Sequence, residues 1–571
     1  MSRINLYRQQ LPEHLLVLLL LCGLVALALW PWPLHFRTGF PDHFDPPFHA
    51  WKLQVDADKL LQNHELIPET NTNIYYPYAN EFYFDALLWP QGVVAAFLKA
   101  AGCGPILSYN LVFLFFWGLS GLFMYLLLRE LDMGRWPSLF GAAAMCLIPY
   151  RISYYVEFNM QMCFGLPLFL LFWIRYVKKP GVWNAIGLAL AFWLQSVSEL
   201  YQAVILALIF PLLILPFLPE LFRKYGRSRR LYLSVGASLT TVVPLCLLYL
   251  GPYLSLLKEG YARTTKEMMT HSLEPLAYLG KMLTRIFFHL DFQSIKTDEM
   301  SVFPSLTLLI LVVGYSLYSR RIFRSGLRKS EGRTTHLLRW LRFVAVIVFI
   351  FLLWGLCLSD QAQLTERFLF IAGNTTLILV LVTTIFLAFV TRTETYALRL
   401  CAGLAAAASL CFILSLGPYL RVHSNHVVAE NLVFSFVGTF FPLSGFRVMS
   451  RFSIIVMIFL VVAAARFLSM LAGPKKQVRF LCILLLVALF VEAYAMPHRY
   501  KKFSLPISEN TLALLKKYTD RTVTVLPMGR RFLDARYMLA IGGTDTLLVN
   551  GFGGFAPLLQ SKIGHALRFH P

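Results

Sequence analysis

This sequence is poor in charged residues, and acidic side chains are the scarcer kind. Charged residues make up 14% of its 571 positions, whereas a soluble domain usually carries about 25%. The mean hydropathy is +0.62, and apolar runs of helix length recur along the chain. This composition excludes an ordinary soluble enzyme and is typical of a protein that crosses a bilayer many times.

Several signatures of other protein classes are also missing. The nine cysteines include no CxxC pair, and all but Cys103 lie in apolar runs, so neither a disulfide framework nor a zinc site is indicated. The glycine-rich stretch 551–554 lacks the context of a nucleotide-binding loop, and no Ser-His-Asp elbow is recognisable. The net charge is +22. However, most Lys and Arg residues sit in short links between apolar runs, which is a membrane-topology pattern and argues against nucleic acid as a partner.

The apolar runs predict about thirteen membrane-spanning helices. They lie near 14–33, 106–128, 138–151, 162–176, 182–197, 200–219, 232–256, 303–318, 341–358, 368–390, 398–417, 452–471 and 479–496. Basic residues accumulate in alternate links, and such links face the cytoplasm. We therefore predict a multi-pass, all-α protein with a cytoplasmic N-terminus and an extracytoplasmic C-terminus. Residues 1–496 would form the membrane core, and 497–571 a small α/β tail.

The first outer loop, 34–105, holds the most informative polar residues. It carries eight acidic and four basic residues in an otherwise basic chain. Asp45 precedes a proline, a common start for a helix, and a carboxylate there is placed to accept a proton from an incoming hydroxyl. We predict Asp45 as a catalytic base, with Asp42 as the second candidate.

Other polar residues of this loop are candidates to line a substrate path: His49, Trp51, Tyr75, Tyr76, Glu81 and Asp85. Interfacial Tyr and Trp are more often membrane-belt residues. Glu81 and Asp85 are one helical turn apart, so they either share a face or simply end a solvated helix. The spacing Asp42-His43-x-Asp45-x-x-x-His49 is compatible with a divalent metal but is common by chance. We therefore assign no metal ligand and no certain cofactor, and leave a divalent metal open.

Two arginines near the far end of the chain are the second strong feature. Arg447 and Arg451 are four residues apart at the predicted outer end of a span, so they are expected to point the same way. A guanidinium binds phosphate oxygens in pairs, and we predict that both arginines, with Arg151 as a weaker third, bind a donor phosphate. Glu157 and Glu199, also at outer ends, are candidates to pair with such arginines.

Several short motifs are spread along the chain. They are Asp45-Pro46 with Trp51, Asn73-Ile74-Tyr75-Tyr76-Pro77, Ser108-Tyr109-Asn110-Leu111, Pro149-Tyr150-Arg151, Gly445-Phe446-Arg447 with Arg451-Phe452, and Val549-Asn550-Gly551-Phe552-Gly553-Gly554-Phe555. Taken together, these motifs resemble the GT-C superfamily of polytopic membrane glycosyltransferases. The likeness is to bacterial members similar to protein O-mannosyltransferases and lipopolysaccharide sugar transferases.

The resemblance implies a helical core with juxtamembrane helices in the first outer loop. It also implies a polyprenyl-phosphate sugar donor, an acidic base in that loop and a bacterial inner membrane. The Asp42/Asp45 pair departs from the Asp-Glu pair usual in mannosyltransferases. From the resemblance as a whole, we expect inverting sugar transfer from the lipid-linked donor to a hydroxyl of a glycan, lipid or protein acceptor. A flippase for a lipid-linked glycan and a non-catalytic membrane scaffold are the alternatives.

Overall fold

The computed structural model describes most of the chain. The described residues are 3–42, 45–68, 72–261, 263–279, 302–327, 395–422, 426–441, 443–471, 475–494, 500–504, 508–517, 521–526, 531–542 and 546–557, with 562–563 and isolated positions between 374 and 385. Among these residues, helices dominate and strands are short. The predicted spans 341–358 and 368–390 lie wholly or mostly outside the described residues.

The helices follow the apolar runs. They comprise Arg3–Ala28, Asp45–Asp58, Trp89–Ala100, Pro105–Glu130, Arg135–Leu147, Pro149–Ser153, Phe158–Gln161, Gly165–Lys178, Val182–Ser198, Leu200–Ile214, Leu218–Tyr225, Arg229–Lys258, Thr265–Thr270, Leu306–Leu327, Tyr396–Ser415, Leu432–Phe440, Ser453–Met470, Lys475–Tyr494, Glu509–Lys517 and Arg531–Ile541. The all-α membrane class is therefore confirmed for the described part of the chain.

Seven helical segments in the described part of the chain are long and apolar enough to cross a membrane, so thirteen spans are not confirmed. An eighth span arises if Leu200–Ile214 and Leu218–Tyr225, which meet at a 66° bend, count as one. The predicted spans at 138–151 and 182–197 correspond to shorter helices, Arg135–Leu147 and Val182–Ser198. Helices of 13 to 17 residues fall below the length that a perpendicular crossing needs.

Small residues allow the helices of the core to approach closely. Pro105–Glu130 packs against Arg3–Ala28, Arg135–Leu147 and Gly165–Lys178. A Cβ on Gly121 would lie 2.5 Å from the Cys146 sulfur, so only glycine fits this crossing. Glycine at helix crossings is the usual means of close packing in a bilayer, where no hydrophobic force drives helices together.

The first outer loop folds over one end of this bundle. Its helix Asp45–Asp58 packs on Trp89–Ala100, Pro105–Glu130 and Arg531–Ile541. Gly92 permits the first of these contacts, because a Cβ there would lie 2.5 Å from the Asp56 Cβ. The helix Trp89–Ala100 is thus a second helix of this loop, where the resemblance implies juxtamembrane helices.

The C-terminal segment is joined to the first outer loop by backbone hydrogen bonds. Lys501–Lys502 pairs antiparallel with Gly39–Phe40, and Thr522–Val523 pairs parallel with Leu547–Leu548. The backbone from Asn73 to Tyr76 continues this second pairing, since the Tyr76 N–H donates to the Leu548 carbonyl at 3.1 Å. A separate hairpin, Tyr419–Val422 with His426–Glu430, precedes Leu432–Phe440. The first outer loop and the C-terminal segment thus meet on one side of the bundle.

Candidate functional site

The helix Asp45–Asp58 turns two basic residues into the protein interior. His49 and Lys52 are three residues apart and therefore share a face; their side chains are 2% and 0% exposed. The Lys52 Nζ donates to the Phe82 carbonyl at 2.7 Å and lies 3.9 Å from the centre of the Phe82 ring. The His49 ring stacks on Phe158 at 5.4 Å. The sequence predicted His49 as a lining residue but gave no sign of Lys52.

Asp85 lies against this pair and receives several hydrogen bonds. Its Oδ1 accepts from the Asn159 side-chain amide at 3.0 Å and from the Ala86 N–H at 2.6 Å, and its carbonyl accepts from the Tyr253 hydroxyl at 2.6 Å. Burial alone would raise the pKa of this carboxyl. The charges of His49 and Lys52 and the two hydrogen bonds outweigh burial, so the pKa of Asp85 is lowered. Asp85 is therefore ionised at neutral pH.

Burial has the opposite effect on the pKa values of the two basic side chains, Lys52 and His49, because it disfavours their charged forms. It lowers the pKa of Lys52 to about 8, against the favourable field of Asp85, Asp56 and Glu199. It lowers the pKa of His49 to about 4, with Asp85 opposing the shift and Lys52 and Arg451 reinforcing it. The neutral imidazole of His49 and the ionised carboxylate of Asp85 thus lie within electrostatic range of each other inside the folded first outer loop.

Arg451 enters this cluster from the far end of the sequence. Its guanidinium lies 4.0 Å from the Glu157 carboxylate, 3.8 Å from the Glu199 carboxylate and 4.9 Å from the centre of the Tyr201 ring. The expectation that these two glutamates pair with a predicted site arginine is confirmed. Burial raises the pKa of Glu199 to about 7, although the Arg451 charge opposes it.

Arg447 has a different environment from Arg451. The helical turn Met449–Phe452 begins after it, and Val448 is extended, with φ −109° and ψ 95°. The expectation of a shared helical face is therefore wrong, because Arg447 precedes the helix. Its backbone N–H donates to the Tyr201 hydroxyl at 3.1 Å. Among the described residues, no hydrogen bond or ion pair reaches its half-buried guanidinium, which lies in the electrostatic field of Arg263 and Glu267.

Asp45 begins its helix as predicted and lies at the edge of the cluster. The carboxylates of Asp45 and Glu157 are both within electrostatic range of the Tyr109 hydroxyl, so Asp45 is on the same side of the bundle as Arg451. Asp42 is half-buried beside the strand Gly39–Phe40. His43 of the metal-like spacing lies outside the described residues. Within the described ranges, no three His, Cys, Asp or Glu side chains converge as metal ligands would.

The remaining predicted lining residues mostly support packing. Trp51 is 1% exposed, and Tyr75 contacts Gly551, where an added Cβ would lie 2.6 Å from the Tyr75 ring. Tyr76 is 41% exposed. Glu81 accepts a hydrogen bond from the Thr72 hydroxyl at 2.9 Å. It does not share a helical face with Asp85, because the turn Glu81–Phe84 ends there and Asp85 is extended.

Arg151 is held inside the bundle by protein groups. Its guanidinium donates to the Gln161 side chain at 2.9 Å, the Ser120 hydroxyl at 2.6 Å, the Met145 carbonyl at 2.9 Å and the Gln161 carbonyl at 3.0 Å. It is 1% exposed and lies 4.9 Å from the Trp117 ring centre. These contacts explain its burial without a ligand, so we assign Arg151 to structure and leave it out of the phosphate site.

Comparisons with protein families and with curated proteins give no match for this chain. Among solved structures, the chain overlaps with the oligosaccharyltransferase of Archaeoglobus fulgidus. The apo form and a form tethered by a disulfide bond to an acceptor peptide containing the NVT sequon each have a TM-score of 0.40 and 12% identity. These overlaps cover 94% and 96% of this chain and 64% of the other.

A form of that enzyme complexed with zinc and sulfate overlaps less well. Its TM-score is 0.33 at 14% identity, covering 94% of this chain and 62% of the other. This chain thus spans less than two thirds of the length of these oligosaccharyltransferase chains.

Proposed function

We propose that the protein is a membrane glycosyltransferase that moves a sugar from a polyprenyl-phosphate donor to an acceptor hydroxyl. One observation carries the proposal: Asp85 of the first outer loop and Arg451 of the last third of the chain lie in one buried cluster, and both act on His49 and Glu199. A glycosyl transfer of this kind needs a carboxylate that takes up a proton and a cation that offsets the charge on a departing phosphate.

The proposed step is a direct displacement. The acceptor oxygen forms a bond to the anomeric carbon as the bond from that carbon to the phosphate oxygen breaks. The polyprenyl phosphate leaves with the bonding electrons, the acceptor proton passes to a carboxylate, and the anomeric configuration inverts. A bilayer and the overlying loop would limit the access of water, which would otherwise compete as acceptor.

We propose Asp85 as the base that takes this proton. It is ionised at neutral pH. Among the described residues, the hydrogen bonds to Asp85 reach Oδ1 or the backbone carbonyl, so Oδ2 can accept the proton. Asp45, which the resemblance favours, is the alternative base, with Asp42 beside it. Both alternatives belong to the same loop and the same reaction.

Parallel substitutions test the proposal. The purified protein is incubated with a panel of polyprenyl-phosphate sugars and a panel of glycan, lipid and peptide acceptors that carry free hydroxyl groups, and release of polyprenyl phosphate is measured. We expect Asp85→Asn to lower the rate by about 10²–10⁴-fold, the usual contribution of a general base. Glu65→Gln removes an acid of the same loop whose side chain is 53% exposed, and it should retain the wild-type rate.

The other possible results distinguish between Asp85, Asp45 and a function without sugar transfer. Loss of transfer in Asp45→Asn with normal transfer in Asp85→Asn would move the base to Asp45. Full transfer in both of these variants and in Asp42→Asn would refute the proposed carboxylate base. Movement of lipid-linked glycan across vesicles without any transfer would favour a flippase and contradict the proposal.

A further inference from the structure

Arg263, which the sequence did not single out, lies beside Arg447. It follows the span Arg229–Lys258, and its backbone N–H donates to the Ser444 carbonyl at 3.0 Å, three residues before Arg447. The two guanidinium groups are within electrostatic range of each other. Adjacent like charges in a partly buried place are unfavourable unless an anion lies between or beside them.

The protein supplies little negative charge to this arginine pair. Glu267 lies 3.6 Å from the Arg263 Nη1, and its side chain is 41% exposed. Asp85 also acts on Arg263, but its charge is shared with Lys52. Arg447 receives no ion pair from the described residues. Among the described residues, Arg263 and Arg447 are thus balanced by two carboxylates. Glu267 is exposed to solvent, and Asp85 also interacts with Lys52.

Arg263 is also held in position while part of its guanidinium lacks a partner. Its side chain is 10% exposed, its Nη2 donates to the Gly554 carbonyl at 2.5 Å, and its guanidinium lies 3.8 Å from the Phe555 ring centre. The Nε–H is buried and, among the described residues, has no hydrogen-bond acceptor. A buried donor without an acceptor is unfavourable, and a hydrogen bond to a ligand oxygen would offset that cost.

The glycine-rich turn brings this arginine next to the proposed base. A Cβ built on Gly554 would lie 3.4 Å from the Asp85 Oδ2 and 3.5 Å from the Arg263 Nη2. The two polar atoms therefore border the same point above the turn. A phosphate bound by Arg263 would place the group attached to it near Asp85.

We propose that Arg263 and Arg447 form a phosphate-binding pair, and that its ligand is the phosphate of the lipid-linked sugar donor. The choice of donor rests on the function proposed above. Guanidinium groups bind phosphate oxygens in pairs, so two of them satisfy the several oxygens of one phosphate. Arg451, which lies between Glu157 and Glu199, then offsets the charge of the departing phosphate through its electric field and does not contact the phosphate.

Binding of decaprenyl phosphate to the full-length protein in nanodiscs tests the pair without requiring activity. Decaprenol, which lacks the phosphate, measures the contribution of the lipid tail. We expect Arg263→Gln and Arg447→Gln each to weaken decaprenyl phosphate binding by about 10- to 100-fold, the usual effect of losing a charge-assisted hydrogen bond. Decaprenol binding should not change.

Lys266→Gln is the matched control, because it removes one positive charge three residues away from an exposed position. It should change decaprenyl phosphate binding by less than about twofold, as expected of a screened surface charge. Arg263→Lys keeps the charge but not the planar fork. It should bind more weakly than wild type and more tightly than Arg263→Gln, with an unchanged melting temperature.

Wild-type affinity in both glutamine variants would overturn the pair. Inorganic phosphate that competes as tightly as decaprenyl phosphate binds would assign the site to free phosphate and overturn the lipid-linked donor. A failure of the proposed transferase is distinguishable: with no sugar transfer from any donor, weakened decaprenyl phosphate binding in Arg263→Gln would still support the anion site.

Discussion

Replacing Glu199 with glutamine should make the protein less sensitive to pH. The Glu199 side chain is 1% exposed, and burial raises its pKa from 4.5 to about 7 despite Arg451. Because the folded pKa lies above the unfolded one, the native state holds a proton that the unfolded state has released between these two values. Stability therefore falls as pH rises from about 4.5 to about 7, and the penalty persists at higher pH.

The size of the effect follows from the pKa difference. A rise from 4.5 to about 7 corresponds to about 3 kcal/mol in the free energy of unfolding. For a chain of 571 residues, this is roughly 2–3 °C in melting temperature, because the entropy of unfolding grows with chain length. Glutamine preserves the shape of the side chain and does not titrate, so Glu199→Gln should lack this component.

Intrinsic fluorescence of the 11 tryptophans provides the assay. Melting temperatures of wild type and Glu199→Gln are measured in the same detergent at steps from pH 5 to pH 8, and their difference is plotted. We expect the variant to gain on wild type as pH rises and to level off above about pH 7. Parallel curves over the whole range would refute the reasoning, since Glu199 would then titrate alike in both states.

Two further substitutions test the packing of the site. Arg451→Met leaves the carboxylates of Glu157 and Glu199 without their shared cation, so it should lower the free energy of unfolding by about 3–5 kcal/mol. In a double-mutant cycle, adding Glu199→Gln should recover part of that loss. Strictly additive effects of the two substitutions would contradict the ion pair. Gly554→Ala places a Cβ 2.5 Å from the Phe84 carbonyl oxygen, so it should lower the free energy of unfolding by about 1–3 kcal/mol. In the control Gly553→Ala, the atoms nearest to the new Cβ are 3.4 Å away, and the melting temperature should hardly change. Equal losses in the two variants would contradict the packing of this turn.

Local patterns in the sequence predicted the individual elements well. The first outer loop contains the helix Trp89–Ala100, where juxtamembrane helices were expected, and the span expected over 106–128 is the helix Pro105–Glu130. Asp45 begins a helix as its Asp-Pro sequence indicates. Hydrophobic periodicity and capping residues act over a few positions, so they are visible in the chain itself.

The partners in the site depend on contacts that no local pattern encodes. Lys52 appears as an ordinary loop lysine in sequence, yet it is buried because Phe82 and Asp85, some thirty residues later, form its surroundings. Arg263 is held at the site by a hydrogen bond to the carbonyl of Gly554, which is 291 positions away in the sequence. The spacing of Arg447 and Arg451 suggested equivalent roles, but an extended residue between them separates their environments.

Arg151 shows the converse case. A proline, a tyrosine and an arginine at the end of an apolar run carry the same signal whether the arginine faces a ligand or the interior. Only the positions of Ser120 and Gln161 on neighbouring segments show that its guanidinium is already hydrogen-bonded. A buried cation needs such partners, and they become visible only in three dimensions.

The most direct measurement of the central claim is release of polyprenyl phosphate by purified protein supplied with a lipid-phosphate sugar and a hydroxyl acceptor, with Asp85→Asn, Asp45→Asn and Glu65→Gln in parallel. The account predicts that wild type and Glu65→Gln release polyprenyl phosphate from at least one donor, and that Asp85→Asn is slower by about two orders of magnitude or more. Release at the wild-type rate by both aspartate variants would contradict it.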